Sequence, residues 1–292
     1  QEFDTLRSDT PVLPDYRNAF NLIDFTTLDS YRQCAAKCGE RHHRGLVPLE
    51  NSRAALRFGE LIHIALDNLW IEKDLRKALN LFIGQYDIVG DEKRTMERGV
   101  TILGEYWTAR RRMICDVRDI QSEQKFHQNY GTFTFSGRID KTFRDSKGLV
   151  CGVDHKTTTY NTTGGVLGQE INPQFIGYYL HLLECFPKEE VSRTFWLDLI
   201  VINPKNNEFM WHPIIITDRA IDQWFDEQYM TIQQLRFSAE SGVWPKSAPW
   251  ACTLYRGLCE YHPLCSAQSD EVAERLRSVL YKIEPWENII GE

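Results

Sequence analysis

Two short charged strands separated by a turn constrain this chain more than any other feature. Gly137-Arg138-Ile139-Asp140 follows the alternating run Phe133-Thr134-Phe135-Ser136, and Val153-Asp154-His155-Lys156 follows Leu149-Val150-Cys151-Gly152. Period-two alternation marks a β-strand, and Asp145-Ser146-Lys147-Gly148 between the two runs has turn chemistry. A hairpin folded about that turn sets Asp140 nearly opposite Asp154, with Cβ atoms roughly 5 Å apart. Asp154 and Lys156 are two residues apart and share a face. Two carboxylates held this close repel unless a divalent cation neutralises them. A lysine on the same face can orient a nucleophilic water or neutralise a phosphate. This is the layout of a metal-dependent phosphodiesterase. It is also what an ordinary wet strand face carries, so the rest of the chain has to decide.

The surrounding pattern is α/β. Residues 1–25 carry Pro11, Pro14 and mixed charge without periodicity, which predicts an extended arm. Thr26 or Thr27 is a candidate cap for a helix running through Cys38. Asn51 or Ser52 could cap the next, with Ala55, Phe58, Ile62, Ala65, Leu66 and Leu69 on its apolar side. Further helices are expected over 73–84 and 91–115, and strands over 123–130, 132–143 and 148–156. Asn172-Pro173 predicts a helix start, with Asn as cap and Pro at the first position, continuing to Cys185. Strands over 193–203 and 207–216, joined by Pro204-Lys205-Asn206-Asn207, precede a helix from Asp218, its expected cap, to Ser241. A last helix falls near 269–283. The expected organisation is an N-terminal arm (1–25), one domain over 26–266 and a tail helix over 267–292. Within the domain, a helical part spans 26–120, a catalytic core 121–245 and a cysteine-bearing staple 250–266. The fold class is α/β, a mixed central sheet flanked by helices.

A net charge of −7 over 292 residues argues against a surface that is basic throughout. Contact with a nucleic acid would then be confined to a local groove. Arg110, Arg111, Arg112, Arg138, Lys141 and Lys156 are the candidates, although the triple arginine equally suits a solvated helix face. No apolar run approaches the roughly 20 residues that span a bilayer, and no secretory signal is recognised. A cytoplasmic location, in a bacterial or phage-infected cell, is the expectation, with no membrane partner.

Eight cysteines without a secretory signal do not predict a disulfide scaffold. Cys115, Cys151 and Cys185 lie in apolar stretches and read as small buried residues. Cys252, Cys259 and Cys265 follow one another closely, while Cys34 and Cys38 stand more than two hundred residues earlier.

Five motifs in order resemble the RecB-like branch of the PD-(D/E)XK nuclease superfamily, which includes AddB-type, CRISPR-associated and phage exonucleases. They are Leu28-Asp29-Ser30-Tyr31-Arg32-Gln33-Cys34, the Phe58-Gly59…His63 helix, the two strands above, Gln174…Tyr178, and the three late cysteines, together covering about residues 25–266. The resemblance implies a restriction-endonuclease-like core. It implies His63, Asp140, Asp154 and the carbonyl of His155 as ligands of magnesium or manganese. The imidazole tilts the choice towards manganese. Lys156 would position water and stabilise charge growing on the phosphate. Gln174 and Tyr178, at i and i+4 on one helix face, would support the site or contact DNA, while Tyr178 also fits a plain core position. Glu123 resembles a family acidic position whose role is open. Cys34, Cys252, Cys259 and Cys265 resemble the thiolate set of a 4Fe–4S cluster, with Cys38 a rival first ligand and zinc a rival metal. The first gap among the late cysteines is longer than the family's usual one.

The resemblance thus implies a metal-dependent DNA exonuclease acting on single strands or duplex ends, in recombination, repair or phage DNA processing. No GxxxxGK[ST] motor motif is present. A recombinase, annealing or CRISPR protein would fit as partner. The alternatives are a non-catalytic DNA-binding or assembly subunit that keeps the fold, and an endonuclease.

Overall fold

Asp145 closes the first hairpin. Its N–H donates to the Leu149 carbonyl, and its side chain accepts from the N–H groups of Lys147 and Leu149 at 2.8 and 2.9 Å. Gly148 completes the turn at φ 82°, a left-handed conformation that favours glycine. The flanking strands are β4 (Thr134–Arg144) and β5 (Val150–Thr158), paired antiparallel from Arg144↔Val150 to Lys141↔Val153. Extending that register by one step faces Asp140 with Asp154.

These positions come from a computed structural model, which describes residues 20–49, 54–159, 166, 168–203 and 206–286. In chain order the other elements are β1 (Leu22–Asp24), α1 (Phe25–Gln33), α2 (Ala35–Cys38), β2 (Leu46–Pro48), α3 (Ala54–Glu72), α4 (Leu75–Gln85), α5 (Met96–Asp116) and β3 (Arg118–Asn129). After the hairpin come α6 (Gln174–Cys185), β6 (Thr194–Val201), β7 (Glu208–Ile215), α7 (Asp218–Ser241), α8 (His262–Cys265), α9 (Asp270–Leu280) and β8 (Tyr281–Ile283). The fold is mixed α/β, as the sequence predicts.

The chain forms two compact units that interleave along the sequence. Among the described residues, the larger lies within 54–126 and 137–225. Here β4 pairs with β5, β5 runs parallel to β6, β6 is antiparallel to β7, and β3 also pairs with β4. Its core joins Phe58, Leu61, Leu66 and Trp70 of α3 to Phe82, Ile102 and Tyr106, and to Phe143, Cys151 and Val153 of the hairpin. Burying large apolar side chains stabilises by about 1.5–3 kcal/mol each. Alternation along β5 turns Cys151, Val153 and His155 towards that helical layer. Gly152, Asp154 and Lys156 point to the opposite face, where Gly152 leaves room for the ring of Phe195.

Among the described residues, the smaller unit comprises 20–49, 127–136 and 226–286. β1 runs parallel to residues 134–136, and β2 pairs antiparallel with β8. Tyr261 stacks on Tyr281 and donates its hydroxyl to the Leu46 carbonyl at 2.7 Å, so the C-terminal segment is bound to β2.

Several boundaries differ from expectation for local reasons. Asp24, not Thr26 or Thr27, caps α1 by accepting from the Thr27 N–H at 2.7 Å. The helix expected through Cys38 breaks at Cys34, whose backbone is extended at φ −163°. Leu22–Asp24 is a strand where an arm was expected, and β2 is a second early strand. Pro173 occupies the cap of α6 instead of its first turn, while the Asn172 side chain still accepts from the Gln174 N–H. Thr217 caps α7, accepting from the Ala220 N–H, and Asp218 is the first helical residue. The last helix gives way to β8 at Tyr281. Ala55 is exposed, not part of the apolar side of α3. The expected caps Asn51 and Ser52, and Pro204-Lys205, lie outside the described residues. No described helix is long and apolar enough to cross a membrane.

Candidate active site and cysteine cluster

Strand β4 supplies Asp140, β5 supplies Asp154, His155 and Lys156, α3 supplies His63, and α6 supplies Gln174 and Tyr178. All lie in the larger unit. The β4–β5 ladder ends at Lys141↔Val153. Beyond it the His155 N–H donates to the Asp140 side chain at Oδ2, 2.8 Å away. His63 Nδ1 stands 3.7 Å from the same oxygen. Lys156 Nζ is 3.0 Å from Asp154 Oδ2 and donates to Gln174 Oε1 at 3.4 Å. Gln174 Nε2 in turn donates to the Tyr178 hydroxyl. Gly59, one turn before His63, packs close to β5: a Cβ there would stand 3.3 Å from Thr157 Oγ1, which would have to give by a few tenths of an ångström.

Both carboxylates are buried, and their environments push them apart. Burial raises Asp154, Lys156 opposes this and Asp140 reinforces it, and the result is about 6. Burial also works against ionised Asp140, but His63, His155, Lys156 and the His155 N–H together hold it below the usual carboxylate value. Burial would lower Lys156, yet Asp154 and Asp140 keep it above the ordinary lysine value. His63 is ringed by protein although 28% of its side chain still meets solvent, and burial, opposed by Asp140, brings it down to about 4. It is therefore a neutral imidazole at pH 7, the form that binds metals.

A divalent cation fits this donor set. Asp154 Oδ2 is buried and meets Lys156 Nζ at 3.0 Å. Such an oxygen, next to a second carboxylate and a neutral imidazole, is suited to a cation. Among the described residues no three His, Cys, Asp or Glu side chains are already disposed around a metal position.

The expected basic groove is corrected. Arg110 is turned inward and paired with buried Asp198, and Lys141 is 1% exposed and bound to Asp67 at 3.1 Å. Neither belongs to an exposed surface. Arg111 and Arg112 are exposed. Arg138 is exposed and pairs with Glu123 at 2.8 Å. Glu123 adopts φ 51°, an uncommon conformation for a residue with a side chain, within electrostatic reach of Asp140 and Asp67.

Sequence reasoning missed Asp67, Trp70, Tyr106 and Asp198. A signal for Asp198 was present: it is a lone carboxylate inside the apolar run Phe195-Trp196-Leu197-Asp198-Leu199-Ile200-Val201. A charge buried in such a strand requires partners.

The candidate cluster cysteines all lie in the smaller unit, partly buried and unbridged. Cys34 precedes α2. Burial works against its thiolate, but N–H groups of Lys37, Ser247 and Ala36 and the Ser247 hydroxyl bring it below the ordinary thiol value. Burial raises Cys259 and Cys265. Cys34 is close enough to oppose the ionisation of both, and Cys259 to oppose that of Cys265. The Cys252 carbonyl accepts the Cys259 N–H at 2.7 Å, which ties the backbones of these two residues together. Cys38, the rival ligand, is fully buried and donates to the Thr27 carbonyl; burial drives its thiol far upward. Of the three cysteines expected to be core residues, Cys151 is buried, while Cys115 and Cys185 are exposed.

The family description that matches this sequence is the PD-(D/E)XK nuclease superfamily, over residues 25–266. No curated protein sequence matches significantly. Among solved structures, the Eubacterium rectale protein named "Putative exonuclease" is similar at 13% identity, with 85% of this chain and 91% of that chain covered and a TM-score of 0.51. At that identity the likeness concerns the fold. SSO0001, also 13% identical over 85% of this chain and 87% of its own, has a TM-score of 0.38 and is too distant to carry an argument.

Proposed function

The chain belongs to the PD-(D/E)XK nuclease superfamily, and from that membership we propose that it is a metal-dependent DNA exonuclease working at DNA ends or on single strands. One observation carries this reading. Asp140, Asp154 and Lys156 meet where the hairpin ladder ends, with Asp154 Oδ2 buried 3.0 Å from Lys156 Nζ. Asp140, Asp154, His63 and the His155 carbonyl would hold magnesium or manganese, which when bound supplies charge neutralisation at the phosphodiester and a more acidic water.

The chain's own residues do the rest. Lys156 keeps its proton at Nζ and offers it to a phosphate oxygen, where negative charge grows as water attacks. Gln174 holds Nζ from the side of α6, and Tyr178 holds Gln174. His63 stays neutral and adds no positive charge that would repel a cation.

Cys34, Cys252, Cys259 and Cys265 are proposed to hold a 4Fe–4S cluster with a structural role. Support comes from their gathering in one unit and from the lowered Cys34 thiol. The setting would be recombination, repair or phage DNA processing.

The test is digestion of end-labelled linear and of circular DNA, single- and double-stranded, with manganese or magnesium. Loss of linear DNA with circles spared is the expected result. Cleavage of circles would make the protein an endonuclease. No cleavage of any substrate would leave a DNA-binding subunit that keeps the nuclease fold.

A further inference from the structure

The hairpin ladder stops one pair short of Asp140 and Asp154. From there to Thr158, β5 is laddered to β6, in parallel register, with His155 set against Asp198. The orientation of residues 154–156 is therefore governed from the β6 side. Both His155 and Asp198 are buried on the face turned to α3 and α5, with 1% and 0% of their side chains exposed.

Asp198 is fully engaged. Its Oδ1 accepts from Arg110 Nε and Nη2 at 3.2 and 3.1 Å. Its Oδ2 accepts from the Tyr106 hydroxyl at 2.6 Å and lies 3.1 Å from His155 Nδ1. Trp70 Nε1 donates to the same Tyr106 hydroxyl at 2.9 Å. A carboxylate paired with arginine is ionised and can only accept. The His155 ring therefore donates from Nδ1, which fixes its proton and its plane. The backbone N–H of the same residue donates to Asp140 Oδ2 at 2.8 Å. His155 is thus tied at both ends, by its ring to β6 and by its peptide to a carboxylate of the candidate site.

We propose that Asp198, set in place by Arg110 and Tyr106, is a positioning residue: through the His155 imidazole it fixes the His155 peptide, and with it Asp140, in the orientation that a cation site needs. The proposal rests on the nuclease reading above. Asp198 touches neither substrate nor the reacting atoms. Hydrogen-bond partners one step behind metal ligands commonly matter about 10–100-fold in affinity.

The test is Mn²⁺ affinity by calorimetry on DNA-free protein, together with melting temperature and cleavage of a short 5′-labelled single strand. The variants are Asp198→Asn, His155→Phe, their combination, and Lys156→Ala. Asp198→Asn and His155→Phe should each raise the Mn²⁺ Kd about tenfold. DNA affinity without metal should not change, and the combination should bind no more weakly than the weaker single variant, because both remove one linkage. Where Asp198→Asn fails to fold because Arg110 is left buried without its partner, Tyr106→Phe takes one donor from the same oxygen. It should raise the Mn²⁺ Kd about threefold, the effect of one ordinary hydrogen bond. An unchanged Kd in a folded Asp198→Asn or Tyr106→Phe protein, or losses that multiply in the combination, would overturn the positioning role. Wild-type protein that cuts no DNA, or Lys156→Ala that cuts at the wild-type rate, would instead contradict the nuclease reading, and the Mn²⁺ titrations would still decide the role of Asp198.

Discussion

The larger unit builds its candidate site on paired strands, whereas the smaller unit gathers its cysteines on caps, turns and short helices. Strand pairing with β6 places Asp154 and Lys156, the His155 N–H holds Asp140, and Gln174 holds Lys156. Cys34 sits before a four-residue helix, Cys259 follows the 3₁₀ segment Pro249–Arg256, and Cys265 ends the four-residue α8. A ladder holds side chains in place without a ligand, because a shift of one residue would turn every side chain to the wrong face. Short helices and turns gain little from their own backbone bonds. The contrast implies that strand pairing fixes the backbone of the carboxylate site before a metal binds, while the cysteine set owes more of its backbone order to one.

Asp154→Ala or Lys156→Ala should lower the cleavage rate roughly 10²–10³-fold or more with DNA binding intact, since each removes stabilisation specific to the transition state. On the cysteine side, Cys34→Ser or Cys265→Ser should remove the brown colour and iron of anaerobically purified protein. The melting temperature should fall by about 5–10 °C, because the metal bonds close a very long loop. Cys151→Ser should keep the colour, as that thiol lies in the core of the larger unit, and so should Cys38→Ser, whose buried thiol donates to the Thr27 carbonyl. Colourless, iron-free anaerobic wild-type protein would remove the cluster and leave the nuclease standing.

His63→Ala should raise the Mn²⁺ concentration needed for activity about tenfold while changing the melting temperature little. An unchanged metal titration would make the histidine structural. The smallest effect concerns stability. Asp154 titrates near 6 in the fold, above the ordinary carboxylate value of 3.8. Its ionisation therefore costs the metal-free fold stability that is present below pH 4 and lost as pH rises through about 6. Asp154→Asn should be more stable than metal-free wild type at pH 8 and no more stable at pH 3. Manganese should stabilise the wild type and not the variant. Parallel denaturation curves at both pH values check this, and equal stability at pH 8 would contradict the strained carboxylate.

The sequence made the hairpin site legible because its information is local. Alternation gives the strands, the Asp145–Gly148 turn sets the register, and the register places Asp140 opposite Asp154. Gln174 and Tyr178 were readable for the same reason, as an i, i+4 pair on one helix. Partners from distant segments were not readable. Nothing local to Arg110 says that it points at Asp198, eighty-eight residues on, so an inward-facing ion pair read as part of a basic groove. Lys141 went astray likewise: its partner Asp67 lies seventy-four residues earlier. Caps were misplaced by one to three residues, since several Thr and Asp side chains compete for the same N–H groups and packing selects among them.

The measurement that bears most directly on this account compares wild type, Lys156→Ala and Cys265→Ser in one single-turnover assay on a short 5′-labelled single strand with manganese, alongside iron content and melting temperature. The account predicts that Lys156→Ala keeps its iron and melting temperature but loses at least about a hundredfold in rate. Cys265→Ser should lose iron and stability, while its folded molecules cut at close to the wild-type rate. Cleavage by Lys156→Ala at the wild-type rate would contradict the assignment of the chemistry to the hairpin.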